Sequence, residues 1–192
     1  MVEHVEKAIS RLDPARYAQE PEYVMALFAR LDGLVFQDKQ THVEIISTIV
    51  ADQGPSPAAS RFGADFVLTA SLQIGKQKVQ KAVLGQAQRR SMNNKTAEEN
   101  AKFMEQCDKM LQESRQCITL ETPLEYGQLP QVKIFEPGNS IPIKDKIHFV
   151  EYLVVPFMGC LHGDTRGFFV RDVLESHLPK LHISAHAADS PA

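Results

Sequence analysis

Apolar residues recur at helical spacing from the start of the chain. Val2, Val5, Ala8, Ile9 and Leu12 fall on one side of a helix over residues 2–12, which Asp13-Pro14 ends. A second helix is expected from Pro21 to Leu34. Proline there occupies a first-turn position, where its missing N–H costs nothing, and Tyr23, Ala26, Leu27 and Leu31 make the buried stripe. Residues 38–52 repeat the pattern with Val43, Ile46, Ile49 and Val50, predicting a third helix with Glu44 at the border of its apolar face. Gly54-Pro55-Ser56-Pro57 breaks it. The period then shortens: Phe62–Gln73 and Val79–Gln88 read as two strands joined through Gly75. Thr96 and Glu99 have the capping-box spacing and open a helix from Ala97 to Gln116. Cys117–Thr122 and Gln131–Phe135 read as short strands, kept short by Pro123, Pro130 and Pro137. The apolar run from His148 is helical up to Pro156, where it must kink or stop. Residues 168–178 form a last helix or strand, and residues 181–192 read as a disordered tail.

This order gives an α/β protein whose mixed central β-sheet is flanked by helices. It divides into an N-terminal helical segment (1–36), a main domain (37–180) and the tail (181–192).

Composition narrows the function classes. The chain has 192 residues, 43% of them hydrophobic and 23% charged, an ordinary balance for a single globular core. A formal net charge of −3 excludes a generic polyanion binder, so any nucleic-acid surface has to be local. Three scattered cysteines, Cys107, Cys117 and Cys160, read as reduced thiols. The acidic N-terminus is no signal peptide, and no apolar run reaches the ~20 residues of a membrane span. A cytoplasmic protein without membrane contact is expected.

The candidate chemistry lies in and around the strand pair. Asp65 stands at the start of the first strand among apolar residues, and Gln86 and Gln88, two apart on the second, project to one side. No acidic residue occurs between Asp65 and Glu98, whereas Lys76, Lys78, Lys81, Arg89, Arg90 and Lys95 all do. A hard divalent cation such as Mg²⁺ takes oxygen ligands, commonly one or two carboxylates plus waters. Asp65 can be the anchor, a Gln86 carbonyl a neutral ligand, and Glu44 a second carboxylate. Cys160 and His162 lack the further ligands a zinc site needs.

Gly63-Ala64-Asp65-Phe66, Leu84-Gly85-Gln86-Ala87-Gln88-Arg89 and Gln106-Cys107-Asp108-Lys109-Met110, with Cys160, Gly163-Asp164 and Arg166 further on, resemble the PD-(D/E)XK nuclease superfamily of restriction-type and antiphage-defence enzymes. The resemblance implies a restriction-endonuclease-like fold over roughly residues 40–170 and a DNA endonuclease using Mg²⁺ or Mn²⁺. DNA is the implied partner, along with a second copy of the chain or another subunit of a defence complex. It assigns catalysis to Asp65, Gln86, Gln88 and Glu44, and metal binding to Asp65, Gln86 and Glu44. Lys78, Lys81, Arg89, Arg90, Lys95 and Gln106 would contact nucleic acid. The sequence departs from the pattern at Gln88, a neutral residue where the family has its lysine. The alternative is therefore a catalytically dead module of nuclease fold that binds nucleic acid or a partner protein. Lys81 and Arg89 face away from Gln88, and Lys102 or Lys109 would have to supply a replacement cation from the following helix.

Overall fold

The structure, a computed structural model, describes residues 1–49, 61–89, 96–135 and 146–187. Its described elements are α1 (Val2–Ile9), α2 (Glu20–Leu31), β1 (Leu34–Gln37), β2 (Thr41–Thr48), β3 (Phe66–Ile74) and β4 (Gln77–Arg89). There follow α3 (Ala97–Glu113), β5 (Cys117–Thr122), β6 (Gln131–Phe135), β7 (Ile147–His148), α4 (Phe149–Tyr152), α5 (Gly167–Glu175) and β8 (Lys180–Ala187). The eight strands make one mixed sheet in the order β1-β2-β8-β3-β4-β5-β6-β7, in which β3–β8 and β4–β5 pair in parallel.

Period-two alternation sends each strand's residues to two different layers. Phe66, Leu68, Ala70 and Leu72 of β3 face the layer that contains Val5, Ile9, Tyr23, Leu27 and Phe28 of α1 and α2. Val67, Ala82 and Leu84 face the opposite layer, against Phe103, Cys107 and Met110 of α3 and Phe169, Val170 and Val173 of α5. The architecture is thus an α/β sheet covered by helices on both faces. The N-terminal helices share the sheet's own core, and the expected boundary at residues 36/37 falls inside β1.

Three local expectations are corrected. Residues 38–49 do not form the expected helix, and residues 50–52 lie outside the described residues: residues 34–48 are a β1–β2 hairpin turned by Asp38, whose carboxylate accepts from Gln40 N (2.8 Å) and Thr41 N (2.7 Å). The run Thr41, Val43, Ile45, Ile46, Thr48 is rich in β-branched side chains. Burying Val43 and Ile45 while exposing Ile46 follows the strand period rather than the helical one. Residues 181–187 are no disordered tail. They belong to β8, an inner strand, with Leu181 and Ile183 in the core and His182, Ser184 and His186 on the other face. The α-helical run reaches only Tyr152, short of Pro156, and the chain then passes through the proline in a wider π-helical turn, Leu153–Met158, rather than stopping there. Residues 167–175 resolve as helix α5. No helix among the described residues is long and apolar enough to cross a membrane.

Gly85 has a strict packing role. The Phe66 ring lies flat against its backbone, and a Cβ at position 85 would sit 2.2 Å from Phe66 Cζ. Gly85→Ala is expected to destabilise by ~1–3 kcal/mol through overpacking, read as a lower urea midpoint with an unchanged slope. An unshifted midpoint would show that the ring can move aside.

Candidate functional site

Asp65 lies at the entry to β3, where the chain turns through Gly63 (φ 66°). A side chain at Gly63 would collide with Gln106 O at 2.7 Å, so α3 packs directly on this turn and Gln106 lies beside the approach to Asp65. The Asp65 backbone N–H donates to Gly85 O (2.9 Å), which sets the aspartate opposite Gln86. Gln86 Nε2 and Ala87 N both donate to Asp65 Oδ2, at 2.7 and 2.8 Å. Burial pushes the Asp65 carboxyl up to about 6. The Ala87 and Gln86 hydrogen bonds oppose that shift, and the negative charge of Glu20 adds to it.

The register then carries a polar row across the sheet. Gln86 pairs with Thr119 of β5, and Thr119 with Lys133 of β6. One step along, Gln88 pairs with Glu121, and Glu121 with Gln131. Both rows lie on the face that carries α3, among side chains that are otherwise apolar. Glu121 is fully buried and holds two cations, Lys133 Nζ and Lys146 Nζ, each at 2.6 Å. Gln86 Oε1, Gln88 Nε2 and Thr119 Oγ1 are buried with no hydrogen-bond partner among the described residues. Buried polar atoms without partners cost about 1–3 kcal/mol each, so a water or an ion reaching these neighbouring strand positions would be stabilising.

Asp65 and Gln86 therefore meet, and Gln88 lies two residues further along β4 on the same face, opposite Glu121. Other assigned residues do not join them. Glu44 is on β2, level with Ser184 and through it with Ser71; that is six residues along β3 from Asp65, ~20 Å at ~3.3 Å per residue. Its charge instead acts on His182, whose pKa burial lowers and Glu44 partly restores. Lys78 pairs with Gln73 near the hairpin tip, further still from Asp65. Lys81 is 1% exposed on the opposite face and donates to the Phe157 and His162 carbonyl oxygens, so it is no nucleic-acid contact. Arg89 braces the start of α2: Nη2 donates to Tyr17 O (3.3 Å) and Ala18 O (3.2 Å), and Nε lies 3.4 Å from Glu20 Oε1. Arg90 and Lys95 lie outside the described residues. Of the helix lysines, Lys109 packs its Cβ beside Gly63 and pairs with Glu105 (2.9 Å), and Lys102 is exposed on α3. Asp164 and Arg166 form a tie between elements. Arg166 pairs with Asp164 (2.6 Å) and donates to Glu113 O (2.8 Å), while Arg115 N donates to Asp164 (3.1 Å).

Thr119, Glu121, Lys133 and Lys146 are the site residues that sequence reasoning missed. Their signal was present in Cys117–Thr122, where Thr119 and Glu121 alternate with Ile118 and Leu120, a polar side on a strand read only as buried.

The donor set fits a hard cation in part. No group of three or more His, Cys, Asp or Glu side chains that could hold a metal occurs among the described residues. One carboxylate with neutral oxygens and waters is nonetheless an ordinary Mg²⁺ environment; Asp65 meets the Gln86 amide, and Thr119 is the neighbour of Gln86 on β5. Turning the Gln86 amide would put its oxygen where Nε2 now stands, 2.7 Å from Asp65 Oδ2. That separation suits adjacent ligands of an octahedral ion with ~2.0–2.1 Å bonds. No protein-family model, curated protein or solved structure matches the chain.

Proposed function

We propose that the chain is a Mg²⁺- or Mn²⁺-dependent nuclease acting on DNA, with its cation site at Asp65, Gln86 and Thr119. The observation that carries this reading is the row Asp65–Gln86–Thr119–Lys133 across four adjacent strands, with unmatched buried oxygens at its centre. Asp65 supplies the anchoring charge, and the Ala87 N–H fixes its orientation. Gln86 and Thr119 present neutral oxygens. Lys133 takes the place of the lysine missing at Gln88: it enters from β6 and is held in position by Glu121. Its ammonium offsets charge that develops on the scissile phosphate. A Mg²⁺ held by Asp65 with Gln86 and Thr119 beside it would supply polarisation of the phosphoryl group and an acidified water.

The second reading, a non-hydrolytic module of the same fold, is favoured by a specific feature of the charges. Lys81 is buried on carbonyl oxygens, Arg89 pairs with Glu20, and Lys133 and Lys146 pair with Glu121, so these four cations are already engaged within the chain.

A plasmid-nicking time course in Mg²⁺, together with Mn²⁺ binding followed by electron paramagnetic resonance, separates the two. Lys133→Met is expected to retain Mn²⁺ and lose ~10²–10³ in cleavage rate, the usual loss for one preorganised electrostatic contact. Gln88→Lys is not expected to rescue it, because position 88 faces Glu121, which already holds Lys146. Mn²⁺ bound with no cleavage by the unmodified chain would select the module. Absence of Mn²⁺ binding would end the metal-site reading.

A further inference from the structure

On the other side of Arg89 a cavity of about 300 Å³ opens between the start of α2 and the end of β5, the small end of the ~300–1,000 Å³ typical of ligand sites. Four rings contribute to its lining, Pro14, Tyr17, Tyr23 and Pro123, of which Tyr17 is half-buried and Tyr23 buried. The Tyr17 and Tyr23 rings meet edge to face with centroids 5.7 Å apart. Arg89 and Glu20 stand side by side in the same lining. Arg89 uses Nε and Nη2 internally and Glu20 uses Oε1, so Arg89 Nη1 and Glu20 Oε2 have no partner among the described residues. The Tyr23 hydroxyl is buried and also lacks one.

The lining thus offers stacking surface beside a donor and an acceptor, and the ion pair leaves little net charge. A simple anion has no advantage there. A planar heterocycle that accepts along one edge and donates along another does. Arginine recognises the O6 and N7 acceptors of guanine, the commonest specific arginine–base contact, and guanine's N1–H and N2–H₂ suit a carboxylate. Adenine has no N–H at N1 and carries its amino group where guanine carries O6, so it meets both groups with the wrong polarity. Unpaired bases stack readily on tyrosine.

We infer that this cavity is a guanine-binding site, taking the base from a free guanosine monophosphate or from an unpaired strand. The site is distinct from the proposed hydrolytic centre: base binding in metal-free buffer requires neither a cation nor Asp65. Glu20 links the two places, since it touches Arg89 and its charge also acts on Asp65.

Titration calorimetry of the full chain in EDTA, with the four ribonucleoside monophosphates, tests this directly. Guanosine monophosphate is expected to bind about ten-fold more tightly than the others, the scale of discrimination a matched base edge provides. Glu20→Gln should cost about ten-fold for guanosine monophosphate alone, and Tyr17→Ala about ten-fold through lost stacking, both with melting curves close to that of the unmodified protein. A single-stranded oligothymidylate carrying one guanine separates the sources: tighter binding than the free nucleotide identifies a strand, weaker binding a free nucleotide. Equal affinity for all four nucleotides, no heat at millimolar concentration, or an unaffected Glu20→Gln protein would each overturn the inference. None of these outcomes depends on cleavage, so failure here is distinguishable from failure of the nuclease reading.

Discussion

Asp65→Asn is expected to make the protein more stable at pH 7.5 while removing its affinity for divalent cations. The Asp65 carboxyl is raised from 3.8 to about 6, chiefly by burial. A carboxyl whose folded pKa exceeds its unfolded one binds more protons in the native state. Its contribution is therefore complete below about pH 4 and lost as pH rises through 6. Each pKa unit corresponds to about 1.4 kcal/mol. At neutral pH the ionised group thus costs ~1–3 kcal/mol, discounted for its partial exposure. Asparagine keeps an oxygen for the Ala87 N–H and removes the charge. At ~2–4 °C per kcal/mol for a chain of this size, the variant should melt several degrees higher at pH 7.5 and show no difference at pH 3.5. Asp38, whose pKa the Gln40 and Thr41 N–H groups lower, contributes with the opposite sign, but in both proteins alike. Mg²⁺ should raise the melting temperature of the unmodified protein only. An Asn variant that is less stable at pH 7.5 would mean that Asp65 is a structural cap, not a site held at a cost to stability.

Lys81→Met is expected to lose ~2–5 kcal/mol, since the Phe157 and His162 carbonyls would each be left buried at ~1–3 kcal/mol. Methionine matches the aliphatic stem that packs against Gly163 and loses only the ammonium over the Phe157 ring, so little of the loss would come from a cavity. Lys81 is the buried pin between β4 and the turn after the π-helical segment. Because native stabilities are ~5–15 kcal/mol in total, the urea midpoint should fall by a large fraction. An unchanged midpoint would mean that the amine gives no net stabilisation and that water replaces it.

The sheet's centre was legible in the sequence because strand period and turn chemistry agreed there: Gly75 turns β3 into β4, and Asp65 faces Gln86 as the alternation requires. Capping at Thr96 was legible for the same reason, with Glu99 returning a bond to Thr96 N at 2.7 Å. Residues 38–52 misled because Val43, Ile46, Ile49 and Val50 satisfy a helical stripe as well as a β-branched strand. Long-range pairing of β2 with β8 decided between them. The polar row was invisible for a related reason. Lys133 and Asp65 fall in one row only through two intervening strand registers, and no local pattern encodes those.

Strand β8 also sets the order of events during synthesis. It lies between β2 and β3, and one of its contacts, Thr69 with His182, spans 113 residues. Residues 180–187 leave the ribosome after every other described strand, so until then β2 and β3 each present an open edge with no neighbour. Such edges invite pairing between nascent chains, and so distant a closure slows the final step. A chaperone that shields those edges during translation would affect the yield of folded protein more than any change in its equilibrium stability.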